Sequence, residues 1–397
     1  MNKRVLISGL MLLALSGLAL TSCKKTQPVQ AQPSSPSVQT RGYLTDYGEK
    51  GMQALSARLH NSRRKLTHIV VIGDSHTAAD FLSGQLRRQF QHRYGNGGIG
   101  FISPLAVPGN RYSNVKFSRT KGWQAVNSRR QSNPRFTLGG NIATPLSWDS
   151  ETRVTALEGE SSINAQALYR SLGGATLQLQ GRAIPLADSQ GRWELSEAAR
   201  VPLSFSVSVS GENETELAGL WLTAAQPKGV IVSALGINGA QISMLDKWQD
   251  DWPGTLSMLN PDLVILAYGT NEAFNTDLSL SEYRQTLVRQ IKKIRKAEPG
   301  AAIMLIGPGS SIMHKGAASC EKRQPALLKP IIEVQKQVAR SEQTLFWDWF
   351  AWMGGDCSIE RLAQQGMARP DLIHLTAEGY QASAAALWRD LEYKLEQ

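Results

Sequence analysis

The sequence contains few residues of the types that bind metals, and these residues are not grouped. Three cysteines and six histidines occur in 397 residues, and no cysteine has a second Cys or His at zinc-like spacing. We therefore predict no metal site and no cofactor. The net charge is +10, but the basic residues are dispersed rather than clustered with aromatic residues, which argues against a nucleic acid partner. The glycine-rich stretch YGNGGIGF lacks the Lys-Ser/Thr pair of a phosphate-binding loop.

The amino-terminal segment, MNKRVLISGLMLLALSGLALTSC, is too short and too interrupted by Gly and Ser to predict a membrane-spanning helix. Its basic start and apolar middle are typical of an export signal, predicted over residues 1–22. Its last four residues, LTSC, resemble the bacterial lipobox, which implies that Cys23 is lipidated and anchors the protein to a membrane. A lysine follows the cysteine, and the resemblance to sorted bacterial lipoproteins then favours the outer over the inner membrane, and hence a periplasmic lipoprotein. The alternative is an ordinary secretory signal with a chance cysteine.

Residues 23–42 are rich in Gln, Pro and Ser and contain almost no aliphatic side chains, so they predict a flexible tether. Export also bears on the two remaining cysteines, Cys320 and Cys357. An oxidising periplasm favours a disulfide between them over two free thiols.

After the tether, apolar runs that end in glycine alternate with helical patterns, as is typical of a parallel α/β sheet. The runs THIVVIG, GVIVSALG, DLVILAYG and AAIMLIG each predict a buried central strand. The first helical pattern places Leu82, Leu86 and Phe90 on one face and Arg87 elsewhere. The stretch LFWDWF predicts another strand with aromatic core contacts, and a final helix begins near Ala377.

The middle of the chain has a different pattern. Short alternating runs such as GATLQLQG, VPLSFSVSVSG and ELAGLWLT are separated by turn residues and predict antiparallel strands. Residues 105–228 are therefore expected to form an all-β sandwich inserted into an α/β domain of residues 43–104 and 229–397. The sequence offers no specific sugar-binding residue in this insertion, so sugar binding and passive packing both remain open.

Four polar stretches follow or flank these elements, at the sheet edge where α/β proteins bind ligands. Ser75 follows the first strand, in IVVIGDSHTAAD, and Gly239 and Asn271 follow two later strands. Asp371 and His374 precede the last helix and are close enough in sequence for one turn to bring them together. These residues provide a nucleophile, a base, an acid to orient the base and oxyanion donors, which are the groups that acyl transfer needs. The donors are the backbone N–H groups of Ser75 and Gly239 and the side-chain amide of Asn271.

The stretches GDSH, INGAQ, GTNE and DLIH, in this order, resemble the four blocks of the SGNH (GDSL-type) hydrolase family. The resemblance implies a flavodoxin-like three-layer sandwich. It also implies that Ser75, Asp371 and His374 form a catalytic triad, with Gly239 and Asn271 as oxyanion donors.

Three further residues lie beside the predicted catalytic groups in the sequence. Asp74 is predicted to fix the serine turn through side-chain to backbone hydrogen bonds. His76 is adjacent to Ser75 in sequence and therefore poorly placed as its base; it either contacts the substrate or braces the loop. His76 and Glu272 stand where the family commonly has Leu and Asp, and neither change removes a catalytic group.

The stretches GDSHTAADF and YGNGGIGF, the inserted β-domain and the lipoprotein start resemble more narrowly the bacterial peptidoglycan O-acetylesterases. In that family a carbohydrate-binding-module-like jelly roll interrupts the hydrolase domain. The resemblance implies hydrolysis of the 6-O-acetyl group of N-acetylmuramic acid through an acetyl-enzyme, with peptidoglycan as the partner of an expected monomer. The alternatives are an esterase or O-acetyltransferase for another cell-surface polysaccharide, and an inactive cell-wall-binding lipoprotein.

Overall fold

A computed structural model describes residues 38–159, 161–211, 214–316 and 319–397. The predicted export signal, Cys23 and the tether up to residue 37 lie outside these ranges. The last part of the predicted tether, Gln39–Arg41, forms a short strand rather than a flexible segment. Within the described residues, no helix combines the length and the apolar character needed to cross a membrane.

The helices and strands alternate on both sides of a long strand-rich middle. The strands are β1 Gln39–Arg41, β2 Leu44–Asp46, β3 Leu66–Gly73, β4 Gly100–Ile102, β5 Val115–Lys121, β6 Trp123–Asn127, β7 Asn141–Pro145, β8 Glu151–Ala156, β9 Ser162–Ser171, β10 Ala175–Leu179, β11 Arg182–Leu186, β12 Glu194–Leu195, β13 Ala199–Pro202, β14 Ser204–Ser210, β15 Thr215–Ala224, β16 Gly229–Gly236, β17 Leu263–Ala267, β18 Ala302–Ile306 and β19 Leu345–Trp347. The helices are α1 Met52–His60, α2 Ser75–Ala78, α3 Leu82–Tyr94, α4 Trp252–Ser257, α5 Thr270–Phe274, α6 Leu280–Ala297, α7 Cys320–Arg323, α8 Leu328–Glu342, α9 Trp349–Met353, α10 Ser358–Gln364 and α11 Ala377–Leu395.

One sheet has the order β1-β2-β19-β18-β17-β3-β16. Its five strands from β19 to β16 are parallel, whereas β2 pairs antiparallel with β19 and β1 pairs antiparallel with β2. Counted from β16, the parallel strands follow one another across the sheet as β16, β3, β17, β18 and β19. Numbered in chain order, this is 2-1-3-4-5, the flavodoxin-like order. The predicted α/β fold is therefore confirmed.

Helices cover both faces of this sheet, which explains why its strands are apolar on both faces. Alternate residues of the strands point to opposite sides, so Val70 and Ile72 join one core and Ile69 and Val71 the other. The first core is covered by α4, α6 and α8, and the second by α1, α3, α10 and α11. The molecule thus has the three layers that the sequence predicts.

The middle of the chain forms two antiparallel sheets, which confirms the predicted all-β insertion. One has the order β11-β10-β14-β8-β5 and the other β12-β9-β15-β7-β6, with β13 paired to β9 and β4 to β15. Their facing sides form a separate apolar core, in which Phe205, Val207 and Val209 of β14 alternate with half-buried serines. The second sheet also packs on the parallel sheet, because Phe101 and Trp221 lie in the same core as Ile231.

The prediction of a strand over LFWDWF is wrong beyond its third residue. Strand β19 ends at Trp347, and Asp348 then caps helix α9 by accepting a hydrogen bond from the Ala351 N–H at 2.9 Å. Trp347 and Trp349 are both buried in the core. The aromatic residues therefore pack as expected, although two of them do so from a helix.

Arg87 is buried, although the helical pattern separates it from the apolar face of α3. Its guanidinium pairs with the buried Asp80 at 3.0 Å and donates to the Val232 carbonyl at 3.0 Å. Asp80 in turn accepts hydrogen bonds from the N–H and hydroxyl of Ser113. Arg87 thus links α3 to β16 of the parallel sheet and, through Asp80, to the segment that leads into β5.

Candidate active site

Ser75 lies in a tight turn at the carboxyl end of β3. A side chain at Gly73 would collide with Thr77 and with the Ala267 carbonyl, so only glycine allows the strand to turn so closely against β17. Asp74 caps the short helix α2, because its carboxylate accepts a hydrogen bond from the His76 N–H at 2.9 Å. This turn leaves Ser75 half-buried at the first position of α2.

The structure brings together three of the predicted catalytic residues. The Ser75 Oγ lies 2.9 Å from the His374 Nε2, although the two residues are 299 positions apart. The His374 Nδ1 lies 3.0 Å from the Asp371 Oδ2. With Nδ1 donating to the carboxylate, Nε2 is left as the acceptor for the serine hydroxyl. The arrangement is a continuous chain of hydrogen bonds from carboxylate to imidazole to hydroxyl.

Asp371 is held by the turn that precedes α11. Its Oδ1 accepts the N–H groups of Ile373 and His374, both at 2.9 Å. Burial opposes ionisation of Asp371, but these two hydrogen bonds and the contact with His374 outweigh it and hold the carboxyl pKa below its ordinary value. The lowered pKa therefore favours an ionised Asp371 carboxylate beside the His374 Nδ1.

Two of the three predicted oxyanion donors follow β16 and β17: Gly239 lies in the loop after β16, and Asn271 lies in the first turn of α5. Gly239 is exposed, has a φ of +74°, and its N–H has no hydrogen-bond partner among the residues that the structure describes. The Asn271 Nδ2 donates to the Ala240 carbonyl at 2.9 Å and lies 3.5 Å from the Asp74 Oδ2. The Asn271 amide is thereby fixed between the serine turn and the Gly239 loop.

Glu272 connects the same two loops through a fully buried carboxylate. Its Oε1 accepts the Ile242 N–H at 2.6 Å and its Oε2 accepts the Gly269 N–H at 3.0 Å. Burial raises the pKa of this carboxyl to about 7, against the lowering effect of these hydrogen bonds. The sequence predicts no such bridge; the only signal was an acidic residue directly after Asn271.

Asp74 is also buried, close to Asn271 and Glu272. Burial raises the pKa of Asp74 to about 8, with the hydrogen bond from the His76 N–H acting against this shift and the charge of Glu272 adding to it. Burial therefore favours the protonated form of the Asp74 carboxyl beside the Asn271 amide.

His76 lies beside the His374 imidazole and makes no side-chain hydrogen bond to Ser75 within the described residues. Its Nδ1 shares a 2.6 Å hydrogen bond with the Tyr380 hydroxyl, and its ring packs edge-on against Trp349 at 4.9 Å. The ring centroids of His76 and His374 are 5.1 Å apart. Burial, and then the proximity of His374, lower the pKa of His76 to about 3. A neutral His76 thus braces His374 without placing a second positive charge beside it.

Cys320 and Cys357 are joined by a disulfide that ties the start of α7 to the turn before α10. Next to this region, the Ile312 N–H donates to the Leu372 carbonyl at 2.9 Å, so the loop after β18 supports the turn between Asp371 and His374. No group of three or more potential metal ligands occurs in the part of the chain that the structure describes.

Comparisons with known proteins identify the family of this chain. Residues 207–382 match the GDSL-like lipase/acylhydrolase family, and residues 97–204 match the N-terminal model of peptidoglycan O-acetylesterase. A solved structure of a peptidoglycan O-acetylesterase is 32% identical, with a TM-score of 0.81 over 89% of this chain and 99% of that one. This chain belongs to the peptidoglycan O-acetylesterase family. It is an esterase of the SGNH type, as the four sequence blocks predict.

Two other solved structures are less similar to this chain. A Bacillus subtilis protein is 14% identical over 75% of this chain and 98% of its own, with a TM-score of 0.35. An acetylxylan esterase from Geobacillus stearothermophilus is 22% identical over 41% of this chain and 73% of its own, with a TM-score of 0.32. None of the curated proteins matches the sequence.

Proposed function

We propose that this protein hydrolyses O-acetyl groups of peptidoglycan, at the 6-hydroxyl of N-acetylmuramic acid, through an acetyl-enzyme on Ser75. The observation that carries the proposal is the hydrogen-bonded chain from Ser75 through His374 to Asp371 in a member of the peptidoglycan O-acetylesterase family. A serine hydroxyl is a weak nucleophile unless an oriented base removes its proton. The two distances, 2.9 and 3.0 Å, are those of a base within reach of the serine and held by an acid.

In the first half-reaction, the Ser75 Oγ attacks the acetyl carbonyl carbon and its proton moves to the His374 Nε2. The carbonyl oxygen becomes an oxyanion that accepts hydrogen bonds from the N–H groups of Ser75 and Gly239 and from the Asn271 amide. Collapse breaks the bond to the sugar oxygen, which leaves with the proton from His374. The acetyl group then remains as an ester on Ser75.

In the second half-reaction, a water molecule attacks the acetyl carbon while His374 removes its proton. The bond to the Ser75 Oγ breaks, acetate leaves, and His374 returns the proton to the serine. Asp371 stays ionised throughout and stabilises the positive charge that His374 carries in each intermediate. The two half-reactions thus use side chains, backbone N–H groups and water.

The central test compares Ser75→Ala with Ser132→Ala, which removes a hydroxyl from an exposed serine. We expect wild type and Ser132→Ala to release acetate from O-acetylated peptidoglycan, and Ser75→Ala to release none while keeping its far-ultraviolet circular dichroism. Acetylated xylan, with and without a sugar acceptor, is assayed in parallel. Activity retained by Ser75→Ala contradicts the mechanism, and a preference for xylan or for transfer to the acceptor contradicts the substrate or the reaction.

We propose further that the mature protein is a periplasmic lipoprotein, anchored to the outer membrane through Cys23. The support is the lipobox-like LTSC at the end of an export-type segment, and the location would place the enzyme within reach of the cell wall. Cells fed a radiolabelled fatty acid should label the wild-type protein in the membrane fraction but not Cys23→Ser. Equal labelling of both, or a wild-type protein without label, contradicts the anchor.

A further inference from the structure

Strands β6 and β7 form an antiparallel ribbon that leads from the predicted oxyanion donors along the β-sandwich. At one end of this β6–β7 ribbon, Asn127 pairs with Asn141. This end adjoins the loop after β16, because a β-carbon at Gly239 would lie 3.5 Å from the Nη2 of Arg129, two residues beyond β6. The ribbon therefore starts beside a donor that the acetyl ester at Ser75 would contact.

A cavity of about 240 Å³ opens along the ribbon, between it, the segment after β4 and the loop after β16. Its walls combine apolar side chains with amides, among them Leu105, Val126, Ile142, Asn127, Asn141 and Asn238. The Asn238 Nδ2 donates to the Asn110 Oδ1 at 2.9 Å, and the Asn110 Nδ2 donates to the Gly236 carbonyl at 3.1 Å. These bonds fix two of the walls against each other, as is usual for a preformed binding site.

A turn at the far end of the ribbon presents Trp148 to solvent. The turn follows Pro145, which is four residues from Asn141 and therefore about 14 Å along β7. Trp148 is 87% exposed, and Leu146 in the same turn is also exposed. Tryptophan has a large apolar ring that proteins bury for most of its surface, so this exposure calls for a binding partner.

Hydrogen bonds hold the turn on both sides of the indole. The Leu146 N–H donates to the Gly122 carbonyl at 2.8 Å. The Ser147 hydroxyl donates to the Asp149 Oδ1 at 2.6 Å, and the Asp149 Oδ2 pairs with the Lys121 Nζ at 3.0 Å. The indole therefore stands on an ordered turn, and the adjoining carboxylate and ammonium groups can bond to sugar hydroxyls.

We infer that the β6–β7 ribbon binds the glycan strand whose acetyl ester lies at Ser75, and that Trp148 stacks on a sugar ring of that strand away from the reacting one. The inference rests on the proposed function. A polymeric substrate extends beyond its ester, and the ribbon is continuous from the Gly239 loop to the turn. The apolar face of an indole suits the C–H face of a pyranose ring. A bilayer is a poorer partner, because the Asp149 carboxylate would enter it with the indole, and burying an ionised carboxylate costs free energy.

The test compares O-acetylated glycan strands of increasing length, from a disaccharide upward, with 4-nitrophenyl acetate. We expect Trp148→Ala to raise KM for long strands about tenfold, since an aromatic contact contributes energy of that order. The kcat values, and both constants for the disaccharide and the small ester, should stay unchanged, because these two substrates are too short to reach the turn. Trp148→Phe should keep most of the wild-type affinity, whereas Trp148→Leu, which is apolar but has no ring, should behave like Trp148→Ala.

Tyr393→Ala is the matched control, because it removes another exposed aromatic side chain, from α11, and it should change no KM. An equal fall in kcat/KM for all substrates in Trp148→Ala, or full affinity in Trp148→Leu, overturns the inference. Binding to phosphatidylglycerol vesicles that Trp148→Ala loses, with an unchanged KM for long strands, also overturns it and assigns the turn to a membrane. A wild type that hydrolyses 4-nitrophenyl acetate but no glycan ester overturns the proposed function. If wild type cleaves long strands and Trp148→Ala has the same KM, only the inference falls.

Discussion

Glu272→Gln tests whether the buried bridge between the loops after β16 and β17 supports catalysis. The Glu272 carboxylate accepts two backbone N–H groups, from Ile242 at 2.6 Å and from Gly269 at 3.0 Å. Glutamine offers one oxygen, so one of these N–H groups would lose its acceptor and face the new amide. Leaving a buried donor unpaired costs about 1–3 kcal/mol. Burial raises the pKa of Glu272 to about 7, so part of the cost of the lost hydrogen bond is offset by removing a charge that burial disfavours, and we expect a net loss of about 1 kcal/mol.

The effect on activity should exceed the effect on binding. The bridge positions the Asn271 amide and the Gly239 loop, and removing one oxyanion donor outright costs about 100- to 1,000-fold in kcat. A donor that is displaced but present should cost less, so we expect a fall in kcat of about tenfold with little change in KM.

The assays are urea unfolding at pH 7 and steady-state hydrolysis of 4-nitrophenyl acetate. Glu197→Gln is the control, because Glu197 is exposed and its side chain has no hydrogen-bond partner within the described ranges. If Glu272→Gln matches wild type in both unfolding free energy and kcat, the bridge does not position the oxyanion donors. A change in KM alone would contradict the argument in the same way.

Three further predictions concern the triad, a buried histidine and the disulfide. Asp371→Asn should lower kcat about 100- to 10,000-fold, because an amide cannot hold the Nδ1–H of His374 as a carboxylate does, and an unchanged kcat would exclude Asp371 as the orienting acid. Burial lowers the pKa of His68 from 6.5 to about 4, so between these pH values the unfolded chain binds a proton that the folded protein does not, and the unfolding free energy of the wild type should fall as the pH drops from 6.5 towards 4. In urea titrations, His68→Gln should have a lower unfolding free energy than the wild type at pH 7 but lose less of it on acidification. An equal loss on acidification in both proteins would refute this. Reducing the Cys320–Cys357 bridge, which spans 37 residues, should cost about 4 kcal/mol in unfolding free energy, and urea midpoints that coincide with and without reductant would contradict it.

The sequence predicts the parallel sheet well because its strands are buried on both faces. A strand with no solvent-facing side must be apolar throughout, and the close approach of the following turn calls for glycine, so runs such as Leu66–Gly73 stand out. The same edge of the sheet collects the residues that follow each strand, which is why the sequence predicts that Ser75 and Asn271 lie close together. His374, although 299 positions from Ser75, was predictable because its spacing from Asp371 suits a turn.

Features that depend on a partner from another part of the chain were not predictable from local pattern. Arg87 is buried because Asp80 and Ser113 neutralise and solvate it, and helical periodicity contains no information about either. Trp349 lies in a helix because Asp348 caps it, whereas aromatic alternation alone favours a strand. The cavity beside Arg129 needs the sandwich to pack on the Gly239 loop, which no single stretch of sequence reveals.

Strand β1, the first strand of the described chain, lies at the edge of the seven-stranded sheet. Gln39 begins a strand that is five strand spacings from β3, or about 24 Å at the usual distance between strands. If the protein is held to a membrane through Cys23, the point of attachment to the folded body is therefore far to one side of Ser75. A force applied through the amino-terminal segment would act first on the β1–β2 pair, which β19, β18 and β17 separate from the strand that ends before Ser75.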